Sequence, residues 1–217
     1  MSKNLNIVWL KRDLRSFDHC PLFQAEQLAQ DYIIIYLFEP NQMNHLDYSL
    51  RHQQFIYQSI KAMNKILKTH NREVNIFHAN ADTVFEYLTL KYNIQNIFSY
   101  QESGTNNSWD RDKKVSKILA DRKVNWIESE NQGVIRGSKN RNGWDKHWFA
   151  HATSSIIQNI YSYNNFSLLK SPFDFNLRDF PFLIKYPKKF QPAGEEFALK
   201  YLNSFIKERG ENYNRNI

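Results

Sequence analysis

The first 128 residues alternate short runs of apolar, β-favouring side chains with longer segments in which apolar residues recur every third or fourth position. The runs predict strands at residues 5–10, 32–38, 74–78, 96–100 and 124–127. Ile33-Ile34-Ile35-Tyr36-Leu37 is apolar without a break, as expected of a strand covered on both faces. Between strands, Ile56, Ile60, Met63 and Leu67 form one helical face, and Val84, Phe85, Leu88 and Tyr92 form a shorter one. Pro21 is placed to open a first helix, and Asn106 or Asn107 to N-cap a third running through Val115, Ile118 and Leu119. Strand, helix, strand in this order requires right-handed crossovers and a parallel sheet. The expected fold is therefore α/β: a doubly wound, Rossmann-like, five-stranded parallel sheet.

Beyond residue 128 the periodicity fades. Residues 130–145 are polar and carry Gly133, Gly137 and Gly143, and a short helix is expected over 144–161. Residues 164–192 contain Pro172, Pro181, Pro187 and Pro192 and follow neither period. So long a stretch without elements reads as a connector strapped over a surface by Phe173, Phe175, Phe180, Phe182 and Tyr186. Residues 194–217 return to a helical pattern, with Phe197, Tyr201 and Phe205 at steps of four and Ala198, Leu202 and Ile206 alongside. This apolar stripe has no following segment to pack on, which points to a missing second half. The expected division is an α/β domain at 1–130, a connector at 131–193 and one amphipathic helix of a further domain at 194–217.

Composition narrows the classes. Hydrophobic residues make up 41% of the 217 and aromatics 15%, enough for a globular core. The longest apolar run is far too short to span a bilayer, and the N-terminus lacks the apolar core of a signal peptide, so no membrane association is expected. The single cysteine, Cys20, excludes a disulfide framework and fits a reducing cytoplasm. A net charge of +7 gives weak support for a polyanionic partner such as nucleic acid.

The chemistry collects where strands end. Ile7-Val8-Trp9-Leu10 runs into Lys11-Arg12-Asp13-Leu14-Arg15-Ser16-Phe17-Asp18, a turn whose charges must pair or meet a ligand. In open α/β sheets ligands lie outside the carboxyl ends of the strands. Arg12 and Asp13 there are either a structural ion-pair knot or ligand contacts. Phe38 and Glu39 close the second strand. Arg51 nearby is either a surface residue or a planar donor to an anionic or heterocyclic ligand. After the fourth strand, Glu102, Asn107 and Arg111 are placed to line the same pocket, although helix capping alone explains the asparagine. His147 and His151 at a four-residue step read as a solvated face rather than a metal site. The basic, tryptophan-bearing run 134–148 reads as packing and solvated surface before nucleic-acid contact. No P-loop, G-x-S-x-G or G-x-G-x-x-G motif is present.

Several of these segments, in order, resemble the photolyase/cryptochrome family. Trp9-Leu10-Lys11-Arg12-Asp13-Leu14-Arg15 is similar to its opening motif, Arg51-His52-Gln53-Gln54-Phe55-Ile56-Tyr57-Gln58-Ser59 to its second helix, and Glu102-Ser103-Gly104-Thr105-Asn106 to a loop of some members. Gln132 to Arg136 with Asn140 to Trp144 resembles one bacterial connector, and Ala193-Gly194-Glu195-Glu196 with Ala198, Leu202, Phe205, Arg209 and Tyr213 resembles the helix opening the flavin-binding half. The resemblance implies an N-terminal domain holding an antenna chromophore and a helical domain, in cis or trans, holding FAD and meeting damaged DNA. It assigns the FAD pocket, the lesion pocket and the tryptophan electron chain to that second half, so this polypeptide alone is not expected to repair pyrimidine dimers. Folate-binding members carry an Asn-Glu pair at the helix entrance. Asn107-Ser108 stands here, which favours FMN or deazaflavin over folate. The alternatives are a cryptochrome-like photoreceptor without catalysis and a stand-alone chromophore- or partner-binding module.

Overall fold

The computed structural model describes residues 4–162 and 170–213, so part of the expected connector and the polar tail at 214–217 lie outside the described residues. Strands β1 (Asn4–Leu10), β2 (Tyr32–Leu37), β3 (Val74–Phe77), β4 (Asn93–Tyr100) and β5 (Asn125–Ser129) form one parallel sheet in the order β3-β2-β1-β4-β5. The helices are α1 (Cys20–Gln27), α2 (Pro40–Met43), α3 (Leu50–Leu67), α4 (Ala81–Lys91), α5 (Asn106–Asp121), α6 (Trp144–Ala152) and α7 (Glu195–Ser204). The strand alternation divides the core in two. Ile7, Trp9, Ile33, Ile35 and Leu37 pack on α4 and α5, while Val8, Leu10, Ile34 and Tyr36 pack on α1 and α3. The doubly wound sheet expected from the apolar runs is the sheet observed.

Local chemistry moves some boundaries. β4 begins at Asn93, because Asn4 and Asn93 pair across the strands and their side chains share a 2.6 Å hydrogen bond. The N-cap of α5 is Thr105, in an extended conformation, and neither Asn106 nor Asn107. α6 stops at Ala152 rather than 161. Thr153 and Ser154 turn their hydroxyls back onto Phe149 O and His151 O, and the chain leaves the helix. α7 loosens after Ser204 into a single π turn at Phe205–Arg209, and none of its residues is buried.

The connector is strapped down by aromatic rings, as its composition predicts. Phe173 meets Tyr87, Phe175 lies between Phe38 and Phe180, Phe180 meets His78, and Tyr186 meets Phe55. Phe182 sets its ring edge-on against Phe180 (6.0 Å) while staying partly exposed, and its neighbour Leu183 is fully buried. Burying a leucine contributes about 1.5–3 kcal/mol, so this stretch belongs to the core. Residues 173–175 also run antiparallel to the end of β3: His78 N donates to Phe173 O (2.8 Å) and Phe175 N to Ile76 O (2.9 Å). No helix among the described residues is long and apolar enough to cross a membrane.

Candidate functional site

The turn after β1 is held from within. Asp13 accepts from Lys11 N (2.8 Å) and from His19 Nε2 (2.7 Å), and His19 Nδ1 accepts from Leu22 N (3.2 Å) as the N-cap of α1. Burial pushes the Asp13 carboxyl up, but the hydrogen bond from His19 and the Lys11 amide outweigh it and hold Asp13 below the usual carboxylate range. Asp13 and His19 thus fix the path from strand to helix.

A second network ties the strand tips together. The Arg111 guanidinium donates to Glu39 Oε1 (2.9 Å), Glu102 Oε2 (3.0 Å) and Asp112 Oδ1 (2.8 Å), and lies over the Trp9 ring at 4.8 Å. Lys11 Nζ meets Asp112 Oδ2 (2.7 Å) and Glu128 Oε1 (3.7 Å), and Arg136 meets the other Glu128 oxygen (2.7 Å). Burial pushes the Glu39 carboxyl above its ordinary value, while the Arg111 charge and the Ala81 amide (2.9 Å) draw it part of the way back. Burial alone would lower Arg111, yet the surrounding carboxylates raise it above the ordinary guanidinium value. It is a permanent cation spent on three anions.

Arg12 differs. Its side chain is 63% exposed and has one ion pair, to Glu102 Oε1 at 3.3 Å. Glu102 Oε1 also accepts from Gly104 N (2.7 Å), and a Cβ at Gly104 would collide with the Arg12 guanidinium, Glu102 and Ser108. A larger residue there would force these side-chain ends to shift, so glycine serves close approach rather than a special backbone angle.

Beside these tips opens a cavity of about 800 Å³. Arg12, Asp13, Glu39, Glu102 and Arg111 line it; Phe38, Arg51 and Asn107 do not. Phe38 is buried beneath Phe175 (5.2 Å between rings), and Arg51 lies over Phe190 (4.9 Å). Asn107 sits about 100° around α5 from Ser108, which does face the cavity, as does Arg111. Sequence reasoning missed most of the walls. Tyr36 and Tyr48 stand on one side, and burial pushes the Tyr36 hydroxyl well above its usual value, so it stays neutral. His52, Phe55, Ile56 and Ser59 face inward from α3 at steps of three, one and three, a helical stripe the sequence carries. Ala198, Leu199 and Leu202 of α7 close the far side. The volume falls within the range of small-molecule sites, and its apolar walls beside the exposed Arg12 and the Arg15 guanidinium fit a flat aromatic ligand carrying an anionic group.

Other sequence candidates resolve simply. His147 Nε2 contacts Glu130 Oε1 at 2.7 Å, and no group of three or more metal-ligating side chains among the described residues is arranged to hold a metal ion. Trp144 and Trp148 stack on each other along α6 and remain partly exposed.

The profile of the family described as DNA photolyase matches residues 6–143. The deoxyribodipyrimidine photo-lyase of Buchnera aphidicola is 27% identical over 223 aligned positions, which cover 92% of this chain and 44% of that protein. Among solved structures, the Sulfolobus tokodaii photolyase, described with two FAD molecules and a novel light-harvesting cofactor, is 19% identical with a TM-score of 0.73, covering 91% of this chain and 46% of that one. A Synechocystis cryptochrome is 14% identical with a TM-score of 0.77 (99% and 49%), and a class III photolyase of Agrobacterium tumefaciens is 16% identical with a TM-score of 0.73 (95% and 45%). These structures share the fold. The chain spans about half the length of each of these relatives.

Proposed function

This chain belongs to the DNA photolyase family, and from that premise we propose that it is the N-terminal, antenna-binding part of a light-dependent DNA-repair flavoprotein. In this reading residues 1–130 bind the antenna, 131–193 are the connector and 194–217 begin the helical half. That half, in cis or in trans, carries FAD and meets pyrimidine dimers in DNA. The antenna is a flavin or deazaflavin, which absorbs light and passes the excitation on. Ser108, standing where folate-binding members carry a glutamate after the asparagine, supports a flavin or deazaflavin over folate.

The roles follow from the charges. Arg12, with its exposed guanidinium, meets the anionic group of the ligand. Leu37, Tyr48, Phe55 and Ile56 supply apolar wall for the ring and exclude water. Glu39, Glu102 and Arg111 are saturated by one another, so they hold the tips of β2, β4 and α5 at fixed spacing rather than bind ligand directly. Asp13 does the same for the β1 turn. The carrying observation is the cavity at the strand ends with the exposed Arg12 guanidinium, engaged by one ion pair, on its wall beside Arg15, whose hydrogen bonds go to the neutral Asp18 O and Tyr100 Oη. Titration of the purified chain with FMN, deazaflavin and methenyl-folate, followed by absorption and fluorescence, tests it. Saturable flavin or deazaflavin binding weakened by Arg12→Ala is expected. The reading fails if neither binds.

A further inference from the structure

α7 is anchored at one end and unpacked along its length. The Glu195 carboxylate accepts from Ser16 N (2.9 Å), Ser16 Oγ (2.7 Å) and Phe17 N (2.9 Å), all in the turn after β1. Gly194 immediately before it, at φ 106°, lies so close to Ala62 of α3 that a Cβ would stand 2.8 Å from the Ala62 Cβ. Beyond this clamp no residue of the helix is buried, and Leu199 and Leu202 are about half exposed while facing the cavity. The apolar side of α7 and the apolar walls on β2 and α3 therefore look at each other across unfilled space. A ligand between them would bury both surfaces at once, and the clamp sets their separation.

We infer that Glu195 is a positioning residue for the outer wall of the cavity, so that antenna binding and the docking of α7 onto the α/β domain are coupled. The inference rests on the cavity being the antenna site and adds that the site is assembled from two parts of the chain. Coupling of this kind is reciprocal: a ligand that favours docked α7 is favoured by it to the same degree. The clamp ends on the same turn that carries Arg12, so releasing Glu195 loosens the cation and the wall together. Because α7 opens the segment assigned above to the helical half, occupancy of the antenna site would be felt by that half.

The test combines FMN affinity with amide hydrogen exchange in the full 217-residue chain and its Glu195→Ala and Ser16→Ala variants. FMN is expected to slow exchange of the Ser16 and Phe17 amides and of the α7 amides in the unaltered chain. Glu195→Ala is expected to release α7, raise the Kd for FMN about tenfold and abolish the slowing in α7. Ser16→Ala, which removes one of three donors and leaves the helix sequence untouched, should give a smaller rise of a few fold. Glu195→Ala with faster α7 exchange but a Kd within twofold would overturn the coupling and leave the antenna site standing. FMN binding that leaves α7 exchange unchanged would overturn it equally. The same exchange and affinity measurements are made with deazaflavin if FMN does not bind, and binding of neither by the unaltered chain would remove both the inference and the reading beneath it.

Discussion

Arg111→Met removes the cation at the centre of the strand-tip network while keeping a long side chain beside Trp9. Glu102 retains the Gly104 amide and Arg12, and Asp112 retains Lys11. Glu39 retains the Ala81 amide but loses its only ion pair among the described residues, and its carboxyl is already raised by burial. Removing one member of a buried ion pair costs about 3–5 kcal/mol, a large part of a typical 5–15 kcal/mol stability. The loss should depend on pH in a definite direction. Without Arg111 the folded-state pKa of Glu39 rises further above its unfolded value. The ionised carboxylate then opposes folding increasingly as pH climbs from the unfolded value towards the folded one, and protonation relieves it as pH falls. Urea unfolding at pH 7 and pH 5 should show the deficit of Arg111→Met shrinking at the lower pH, and adding Glu39→Gln should restore part of it at pH 7. A deficit below about 1 kcal/mol, or one equal at both pH values, would refute the view that Arg111 is committed to structure.

Arg12→Ala should do the reverse, raising the Kd for FMN about tenfold, or 1.4 kcal/mol, while an exposed pair of this kind changes unfolding free energy by less than about 1 kcal/mol. Fluorescence titration and urea melts on one sample check both. Asp13→Asn should cost stability above pH 4 and progressively less below it. The folded-state pKa of Asp13 is lowered, so its contribution is complete above the unfolded value and disappears as pH falls through the folded one; urea midpoints between pH 2 and 7 measure this. Leu183→Ala should cost about 2–5 kcal/mol, as for other buried leucines. A negligible change in its urea midpoint would mean that this part of the connector only rests on the domain.

The sheet was readable because β1 and β2 are buried on both faces, and such strands announce themselves as unbroken apolar runs. β5, at the sheet edge and only partly buried, was readable in position but two residues short at its carboxyl end. Side-chain direction on the helices was harder to read. On α3 the inward stripe is His52, Phe55, Ile56 and Ser59, and Arg51 lies about 100° around the axis from His52. A one-residue uncertainty in helical phase therefore separates a cavity residue from an outside one, and Asn107 beside Ser108 repeats the case on α5. The Glu39–Arg111 pair joins residues 72 apart in sequence, and no local pattern carries such a partnership. For the same reason the α7 wall could not be foreseen: its amphipathic stripe shows an apolar side but not what stands opposite.

The strip formed by residues 173–175 along β3 has a consequence for handling the protein. β3 is the outermost strand of a parallel sheet, and its carbonyls and amides would otherwise offer a template for strand addition from another molecule. Phe173 and Phe175 occupy those positions at Ile76 and His78 and cover the adjoining apolar surface with their rings. A fragment cut back to the α/β domain near residue 130 would keep every strand yet expose this margin. It should self-associate through β3 at concentrations where the full chain stays monodisperse, so the connector acts here as a built-in guard against aggregation.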